Sequence, residues 1–352
     1  MQKVSTGGRI VGLDLSDKES TYVVLDRRGK LIDEGKVRMS RVALESQFAV
    51  PGCCIALEAG GHSPWVSRLL ASMGHQVIVA NPHEVRLIAK NPRKTDRLDA
   101  LRLARLARVE PSLLAPICHR SQQTQEDLEL LRARDLLVAT RTSLINHVRA
   151  VVKSLGERLA DCSAPAFDQK VAEAVPEALR PALEPMLAMI SQLTLKIKAM
   201  DKQVLDLIDE RYPVAKVLLQ QINGVGPLTA LAFVLTIEEP TRFLQSRDVG
   251  AYLGLTRRQR DSGESKPQLH ITKAGDAFLR RLLVQCAHYI LGPFGRASDL
   301  RRWGLALAER IGKKRAITAV ARKLAVLMHS LWTNGQVYEP LRQEQAPAAG
   351  IN

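Results

Sequence analysis

Apolar residues in the first 80 positions fall into short runs, and several of these runs alternate with polar residues. Alternation is typical of a strand with one face in water, whereas an unbroken apolar run predicts a strand covered on both faces. These patterns predict strands over residues 9–15, 21–26, 30–37, 53–57 and 76–80, and helices over 42–48, 64–73 and 83–89. The order β-β-β-α-β-α-β-α predicts an α/β domain of the ribonuclease H-like class, with a mixed five-stranded sheet flanked by helices.

From residue 96 onward the pattern changes, and apolar residues recur at every third or fourth position. This spacing predicts long helices that include residues 126–158 and 186–208. In the second of them the steps fit a coiled coil or a helical hairpin. Its apolar face could pack inside its own subunit or against a second copy of the chain. Tyr212-Pro213 ends this helix, and the chain from there to about Pro340 is predicted to be mainly helical.

These changes of pattern divide the chain into four segments. The predicted segments are an α/β domain over 1–158, a helical or coiled-coil segment over 159–212, a mainly helical domain over 213–340 and a disordered tail over 341–352. No internal repeat and no low-complexity tract interrupts them.

Four carboxylates stand at predicted strand ends or at the start of a predicted helix. Asp14 lies in GRIVGLDLS, Glu58 follows an apolar run, and Asp96 and Asp99 stand three apart in RKTDRLDALRLA. Residues three apart share a helix face, so both of these aspartates could turn toward the sheet. Mg²⁺ prefers oxygen ligands, and two such ions about 4 Å apart neutralise the charge that develops in phosphodiester chemistry. The four residues are therefore predicted metal ligands.

Each carboxylate also has a purely structural interpretation. Asp96 could be a helix N-cap with Asp99 as its partner three residues later, and Asp14 could belong to a turn. Asp17 is the nearest competitor of Asp14, which we prefer because it lies inside the apolar strand. The order of all four residues on the predicted fold favours the metal site.

The composition indicates that the protein has a polyanionic partner. The 352 residues carry a net charge of +15 and an isoelectric point near 9.9, which favours nucleic acid first and an anionic membrane surface second; a solvated basic surface is the alternative. No apolar stretch reaches the roughly 18 residues that a membrane span requires, and the N-terminal residues lack the apolar core of a signal peptide. The five cysteines form no CxxC pair, so neither a disulfide framework nor a zinc site is indicated. A cytoplasmic protein without a membrane partner is expected.

Several cations in the last third of the chain stand close together in the sequence. Two glycines in QQINGVGPLTALAFVLTI predict a helix–hairpin–helix-like turn whose backbone N–H groups could bind phosphate. Ser262 follows several arginines, and such a serine could attack a phosphate while the guanidinium groups stabilise the developing charge. The predicted nucleic-acid contacts are Gly224, Gly226, Arg257, Arg258, Arg260, Lys273, Arg280 and Arg281. Only 4% of the residues are aromatic, so base stacking is limited to a few candidates: Trp65, Trp303, Trp332 and Tyr252.

Six motifs together give the chain a family resemblance: VGLDLS, ALEAGG, KTDRLDA, INGVGPLTA, YLGLTRRQRDSG and ITKAGDAFLRRLL. With these motifs in this order and spacing, over residues 9–335, the chain resembles the transposases of the insertion-sequence-110 family, including its insertion-sequence-1111 branch. The resemblance implies an N-terminal RuvC-like nuclease domain with an Asp-Glu-Asp-Asp tetrad. It also implies a C-terminal transposase domain with a catalytic serine. The matching positions are Asp14, Glu58, Asp96 and Asp99 for the tetrad and Ser262 for the serine.

The activity that this resemblance implies is recombination of a mobile insertion sequence. Members excise and insert their element as a circle, and several are guided by a structured non-coding RNA that pairs with donor and target DNA. The tetrad would hold Mg²⁺, expected as two ions that Mn²⁺ can replace, and the serine would form a covalent phosphoserine intermediate. Serine and tetrad would come from different subunits of a dimer of dimers. The protein would be bacterial and would associate with the nucleoid when it is bound to DNA.

Around the serine the chain departs from the usual family pattern. Many relatives have proline where Arg257 stands and a Ser-Ser-Gly-Gly-like run where Asp261-Ser262-Gly263-Glu264 stands. The Ser262-Gly263 pair is kept, and Ser265 is the second candidate. Three other functions stay open: a RuvC-like structure-specific endonuclease that only hydrolyses DNA, a site-specific DNA invertase of the pilin-inversion type, and a nucleic-acid-binding protein with a relic nuclease fold.

Overall fold

A computed structural model of the chain describes residues 8–82, 95–260, 267 and 269–342. The chain divides into two compact units, Met1–Gln122 (unit 1) and Gln123–Asn352 (unit 2), which are described separately. The helix predicted over 83–89 and nearly all of the predicted tail lie outside the described residues.

Unit 1 is built on a mixed five-stranded sheet, as the sequence predicts. Its strands are β1 (Arg9–Asp14), β2 (Glu19–Asp26), β3 (Leu31–Arg38), β4 (Cys54–Glu58) and β5 (Gln76–Ala80). The strand order is β3-β2-β1-β4-β5. The first three strands pair antiparallel, while β1, β4 and β5 run parallel. This topology is compatible with a ribonuclease H-like domain.

Helices cover both faces of this sheet. They are α1 (Arg41–Gln47), α2 (Ser63–Ser72) and α3 (Asp96–Val109). Successive strand residues point to opposite faces. Leu13 and Leu57 are accordingly buried on the side of α1 and α2, whereas Ile10 and Ala56 are buried on the side of α3. The nearly unbroken apolar runs of β1 and β4 thus correspond to strands that are covered on both sides.

The helix α3 crosses β1 at close range, and a glycine makes this approach possible. A β-carbon placed on Gly12 would lie 1.8 Å from the carbonyl oxygen of Ala100 and 2.6 Å from the backbone nitrogen of Ala104. Atoms at such distances overlap, so a residue with a side chain does not fit between the two backbones. Gly12 therefore sets how closely α3 lies against the sheet.

We expect Gly12→Ala to lower the free energy of unfolding of unit 1 by about 3 kcal/mol. The added methyl group would push α3 away from the sheet and open the core on that side. Pulse proteolysis of the full-length chain in urea, read from the fragments of unit 1, measures the change. Gly61→Ala is the matched control because nothing lies within 4 Å of a β-carbon there, and its expected effect is below about 0.5 kcal/mol. Equal effects of the two substitutions would contradict the close approach.

Unit 2 is mainly helical, as predicted. Its helices are α4 (Gln122–Ser154), α5 (Phe167–Val171), α6 (Arg180–Arg211), α7 (Pro213–Gln221), α8 (Pro227–Ile237), α9 (Asp248–Tyr252), α10 (Ala277–Leu291), α11 (Asp299–Ile311) and α12 (Lys313–Asn334). The apolar helix α8 is buried from Thr229 to Ile237 and contacts α6, α7 and α10 at the centre of the larger core. In the part of the chain that the structure describes, no helix is both long and apolar enough to cross a membrane.

The two long helices α4 and α6 run antiparallel, and two polar contacts join them near their middle, in the stretch of α6 that also buries Leu193 and Ile197. Arg134 donates to Asp201 at 2.5 Å, and Arg141 donates to the hydroxyl of Thr194 at 3.2 Å. On either side of these contacts the two helices join apolar clusters that include Ile145, Val148, Leu187 and Ile190 at one end and Leu128, Leu131, Val204 and Ile208 at the other. Packing inside the subunit therefore accounts for these apolar residues of α6, while a coiled coil with a second copy stays a prediction.

A turn joins α7 to α8, as the sequence predicts. Gly224 in this turn has a φ of +95°, a left-handed conformation that glycine adopts without steric cost. The side chains of Tyr289 and Ile290 lie 3.0 Å from the position that a β-carbon of Gly224 would occupy. Packing alone thus explains a glycine here, and phosphate binding by the turn stays a prediction.

Candidate active site and nucleic-acid interface

Asp14 and Glu58 stand side by side at one edge of the sheet of unit 1. Each is the last residue of its strand and half-buried, and the parallel register of β1 and β4 makes them neighbours on strands about 4.8 Å apart. Two residues earlier stand Gly12 and Ala56, on the side of the sheet that α3 covers. Because side-chain direction repeats every two residues, both carboxylates point to that side.

The N-terminal turn of α3 lies toward the same edge. Ala100 lies over Gly12, while Arg108, near the end of the helix, lies against Gly29 in the turn beyond the opposite end of β1. The helix therefore runs antiparallel to β1. From the point where Ala100 lies over Gly12, Asp96 is about 6 Å away along the helix axis. The last residue of β1 is about 7 Å away from the same point in the same direction. The first turn of α3 is thus level with the carboxyl end of β1.

Asp96 and Asp99 lie in this first turn, and neither caps the helix. The N-cap is Thr95, whose hydroxyl accepts a hydrogen bond from the N–H of Leu98 at 3.3 Å. The interpretation of Asp96 as the N-cap is therefore wrong, because the preceding threonine fills that position. Asp99 is half-buried and forms an ion pair of 2.9 Å with Arg102, whereas Asp96 is exposed.

The four carboxylates share one edge of the sheet, but their side chains do not surround a common point. Among the residues that the structure describes, no group of three or more His, Cys, Asp or Glu side chains is arranged to hold a metal ion. The donor set suits a hard divalent cation, because it consists of carboxylate oxygens only. That Asp14, Glu58, Asp96 and Asp99 are metal ligands stays a prediction, which the backbone positions support.

Two histidines near this edge carry no catalytic signal in the sequence. His62 follows Glu58 by four residues, and its Nε2 lies 3.1 Å from a carboxylate oxygen of the exposed Asp17. His119 lies far along the chain, with its Nε2 2.8 Å from the hydroxyl of the buried Ser63. Only the tertiary fold brings the second histidine to this place.

We expect the stability of unit 1 to fall at acidic pH in part through His119. Burial, with smaller contributions from the positive charges of Arg68 and Arg120, lowers the pKa of His119 below its ordinary value of 6.5. Below that value the unfolded chain binds a proton that the folded chain still excludes, so this contribution is complete above pH 6.5 and is lost as the pH falls. Pulse proteolysis in urea at several pH values measures the loss, which His119→Gln should reduce.

The control for this pH dependence is Cys118→Ser, which changes an exposed neighbour of the histidine. We expect it to keep the full loss of stability between about pH 8 and pH 5. An unchanged pH dependence in His119→Gln would show that other groups cause it.

The two candidate serines, Ser262 and Ser265, lie outside the described residues. The chain before and after them is described and is paired. An antiparallel bridge joins Arg257 to Ile271, and backbone hydrogen bonds of 3.0 and 2.8 Å continue the pairing on either side. The pairing therefore holds the two ends of the intervening segment next to each other.

Two of the predicted nucleic-acid residues are engaged inside unit 2. Arg280 donates to the carbonyl oxygens of Leu253 and Ala274 at 3.0 and 2.8 Å. Arg281 forms an ion pair with Asp135. Both guanidinium groups connect α10 to neighbouring segments of unit 2. A count of basic residues in the sequence does not reveal this structural role.

The other predicted cations are exposed on the paired segments. Arg257, Arg258 and Arg260 precede the serines and Lys273 follows them, and all four are exposed. Arg258 also donates to the carbonyl oxygen of Thr272 at 3.3 Å. Exposed cations on both segments give this part of unit 2 a surface that suits a phosphate backbone.

Known transposases match both units of the chain. Residues 11–156 match a transposase model of the DEDD type named for IS110, and residues 216–297 match the model of the transposase IS116/IS110/IS902 family. The chain is 29% identical over 337 residues to the transposase for insertion sequence element IS1111A of Coxiella burnetii, covering 94% of this chain and 91% of that protein. The transposase for insertion sequence element IS1328 of Yersinia enterocolitica is 28% identical over 340 residues, or 94% and 98% of the two chains. The protein y4pF/y4sB of Sinorhizobium fredii, which is named as a transposase, is 30% identical over 294 residues, or 82% and 75%.

A mixed sheet with carboxylates at one edge, matched by a DEDD transposase domain, defines an enzyme that acts on DNA, a DNA transposase. The DEDD domain indicates the use of a divalent metal, and transposition implies DNA as the substrate. The chain belongs to the IS110 family of transposases.

Proposed function

We propose that this transposase excises and inserts its mobile element by cutting and rejoining DNA through a phosphoserine ester on Ser262. The observation that carries the proposal is the position of Asp14 and Glu58 side by side, on the face of the sheet that α3 covers and level with its first turn. At that edge the four carboxylates would act together on a scissile phosphate.

The four carboxylates would hold the divalent metal, for which Mg²⁺ is the first choice and Mn²⁺ a substitute. A bound pair of such ions supplies positive charge that offsets the charge on the transferring phosphate and the leaving oxygen. Asp14 and Glu58 end paired strands, and Asp96 and Asp99 follow a capped helix start. Their backbones are thus fixed in advance, which favours a defined geometry at the site.

Ser262 would supply the nucleophile. Its Oγ loses a proton and bonds to phosphorus, while the bond from phosphorus to the 3′ oxygen breaks and that oxygen takes up a proton. The 5′ phosphate is then joined to the serine. A 3′ hydroxyl of the partner strand attacks this ester, forms the new phosphodiester bond and returns the proton to the serine. One bond forms for each bond that breaks, so the exchange needs no ATP.

The cations of unit 2 would support this chemistry. Arg257, Arg258 and Arg260 are exposed on the segment that leads to the serine, where guanidinium groups can stabilise a charged transition state. Gly224, Gly226 and Lys273 would contact the DNA backbone. Arg280 and Arg281 would have to exchange their internal partners for phosphate, so we assign them the weakest contacts.

The family resemblance supports a larger assembly. The proposed parts are a nuclease domain over 1–158, a coiled-coil segment over 159–212, a transposase domain with a helix–hairpin–helix-like segment over 213–340 and a tail over 341–352. A homodimer would become a tetramer on DNA, with tetrad and serine from different subunits. A structured non-coding RNA would pair with donor and target DNA on the bacterial nucleoid. The net charge of +15 suits the binding of both nucleic acids.

Strand exchange by the purified protein tests this proposal. The full-length chain would be mixed with a transcript of the non-coding region beside its gene, a donor plasmid and a target plasmid, in Mg²⁺, Mn²⁺ or EDTA. We expect joined plasmids only when RNA and metal are both present. Mass spectrometry should find a peptide that carries a nucleotide on Ser262.

Each other outcome selects a different function. Cut ends without joining would favour a hydrolytic endonuclease, and inversion without RNA would favour a site-specific invertase. Joining in EDTA would contradict the role of the carboxylates. Fragment spectra that place the nucleotide on Ser265 would move the nucleophile to that residue.

A further inference from the structure

Unit 2 contains a cavity of about 770 Å³ between α11, α12 and the paired segments that flank residues 261–266. Sites for small molecules and cofactors span about 300–1,000 Å³. Its lining includes the apolar residues Leu255, Ile271 and Val326. The cavity therefore has the volume and the apolar lining for a flat, partly apolar group of nucleotide size.

Cations line the same cavity. Lys314, Arg322 and Lys323 of α12 and Arg257 of the first paired segment are among them. No carboxylate is present among the described residues that line the cavity. The lining residues of α12 recur at helical spacing on one side of the helix, opposite the side that is buried in the core. This concentration of positive charge favours an anionic occupant.

An aromatic ring stands at the same cavity. Trp303 of α11 is 37% exposed, and the ammonium group of Lys323 lies 4.2 Å from the centre of its ring. By contrast, Trp332 is packed against the core beside Phe233. Trp303 thus places an indole ring, one face of which lies under Lys323, among several cations. An aromatic ring together with cations is the combination that binds a base and its phosphates.

We infer that this cavity receives one unpaired nucleotide of a DNA strand, with the base against Trp303 and the flanking phosphates at Lys314, Arg322 and Arg257. A stacked base pair cannot present its ring face to a side chain, so a concave site with an indole wall suits a nucleotide turned out of the duplex. The inference deepens the proposed function and rests on DNA being its substrate. According to this inference, unit 2 holds the DNA open by binding the unpaired nucleotide, in addition to its contacts along the DNA backbone.

Two DNA duplexes test this inference on the full-length protein. They are identical except that one carries an extra 5-iodouracil that has no base-pairing partner. We expect the duplex with the unpaired base to bind about tenfold more tightly, and Trp303→Ala to remove this preference. Trp303→Phe, which keeps a ring, should retain part of it. Irradiation should cross-link the unpaired base to Trp303. Lys314→Ala should weaken binding of the same duplex, whereas Lys198→Ala, at an exposed lysine of α6 outside the lining residues, should not.

Three results would overturn the assignment. One is equal loss of binding to both duplexes in Trp303→Ala, and another is a cross-link only to residues outside the cavity. The third is a stronger preference for an unpaired base in RNA than in DNA. Binding and cross-linking do not require strand transfer, so Ser262→Ala should keep the preference. Failure of the phosphoserine chemistry and failure of the nucleotide cavity can thus be told apart.

Discussion

Asp14→Ala should abolish recombination in cells that carry the chain with its native flanking DNA, with new junctions reduced at least about a thousandfold. The residue ends β1 beside Glu58 and points to the side of the sheet that α3 covers. In the proposed function, its removal would take away one of the carboxylates that hold the divalent metal at the scissile phosphate. Because the side chain is half-buried at a strand end, the fold should survive. Sequencing of new junctions measures the effect.

The control for this prediction is Asp17→Ala. Asp17, three residues after Asp14, is the competing candidate; its side chain is fully exposed, and the contact described for it is the one with Nε2 of His62. Substitution of an exposed surface residue changes stability little, so Asp17→Ala should recombine within a few-fold of wild type. Loss of junctions in Asp17→Ala, with junctions retained in Asp14→Ala, would exchange the two assignments.

Ser262→Ala should also remove all detectable junctions, while binding to DNA and RNA stays near that of wild type. Alanine lacks the hydroxyl that would carry the phosphate, but it alters no charge in a protein whose binding depends on many cations. Loss of a nucleophile costs on the order of 10⁴-fold or more in rate. Junction sequencing and a binding assay on the same variant separate chemistry from recognition.

Ser265→Ala is the matched control, since it removes the same hydroxyl three residues away. We expect it to recombine. Junctions that survive in Ser262→Ala but disappear in Ser265→Ala would reassign the nucleophile, and junctions that survive in both would leave metal-dependent chemistry without a covalent step. Equal loss of DNA binding and of junctions in Ser262→Ala would point to a binding role.

Much of unit 1 follows from local patterns. The apolar runs predict β1 and β4, and the alternation of side-chain direction along a strand, together with their parallel pairing, makes Asp14 and Glu58 neighbours on one face. What the patterns could not supply is the approach of α3, which depends on backbone atoms of Ala100 meeting Gly12 across a long sequence distance. The N-cap also escaped prediction, because Thr95 competes with the aspartate after it through a single hydrogen bond.

Unit 2 shows a different limit of prediction. Counting cations marks its C-terminal part as basic, but it does not separate Arg280, which is bound to backbone carbonyls, from Arg257, which is exposed. Nor does it reveal that Trp303 and Lys323, twenty residues apart, meet at one cavity. Such distinctions depend on tertiary contacts, because a side chain's role is set by what surrounds it.

The two polar contacts between α4 and α6 have a consequence for the alignment of these helices. Buried charges add little net stability, but a shift of one helix along the other would separate Arg141, which is 8% exposed, from the hydroxyl of Thr194. Leucine and isoleucine contacts alone tolerate such slippage, whereas polar positions in a helical seam specify register. Each helix is about 50 Å long, and the contacts of Arg134 and Arg141 fix the register of one helix along the other. A fixed register also fixes the separation of the two apolar clusters that the helices connect.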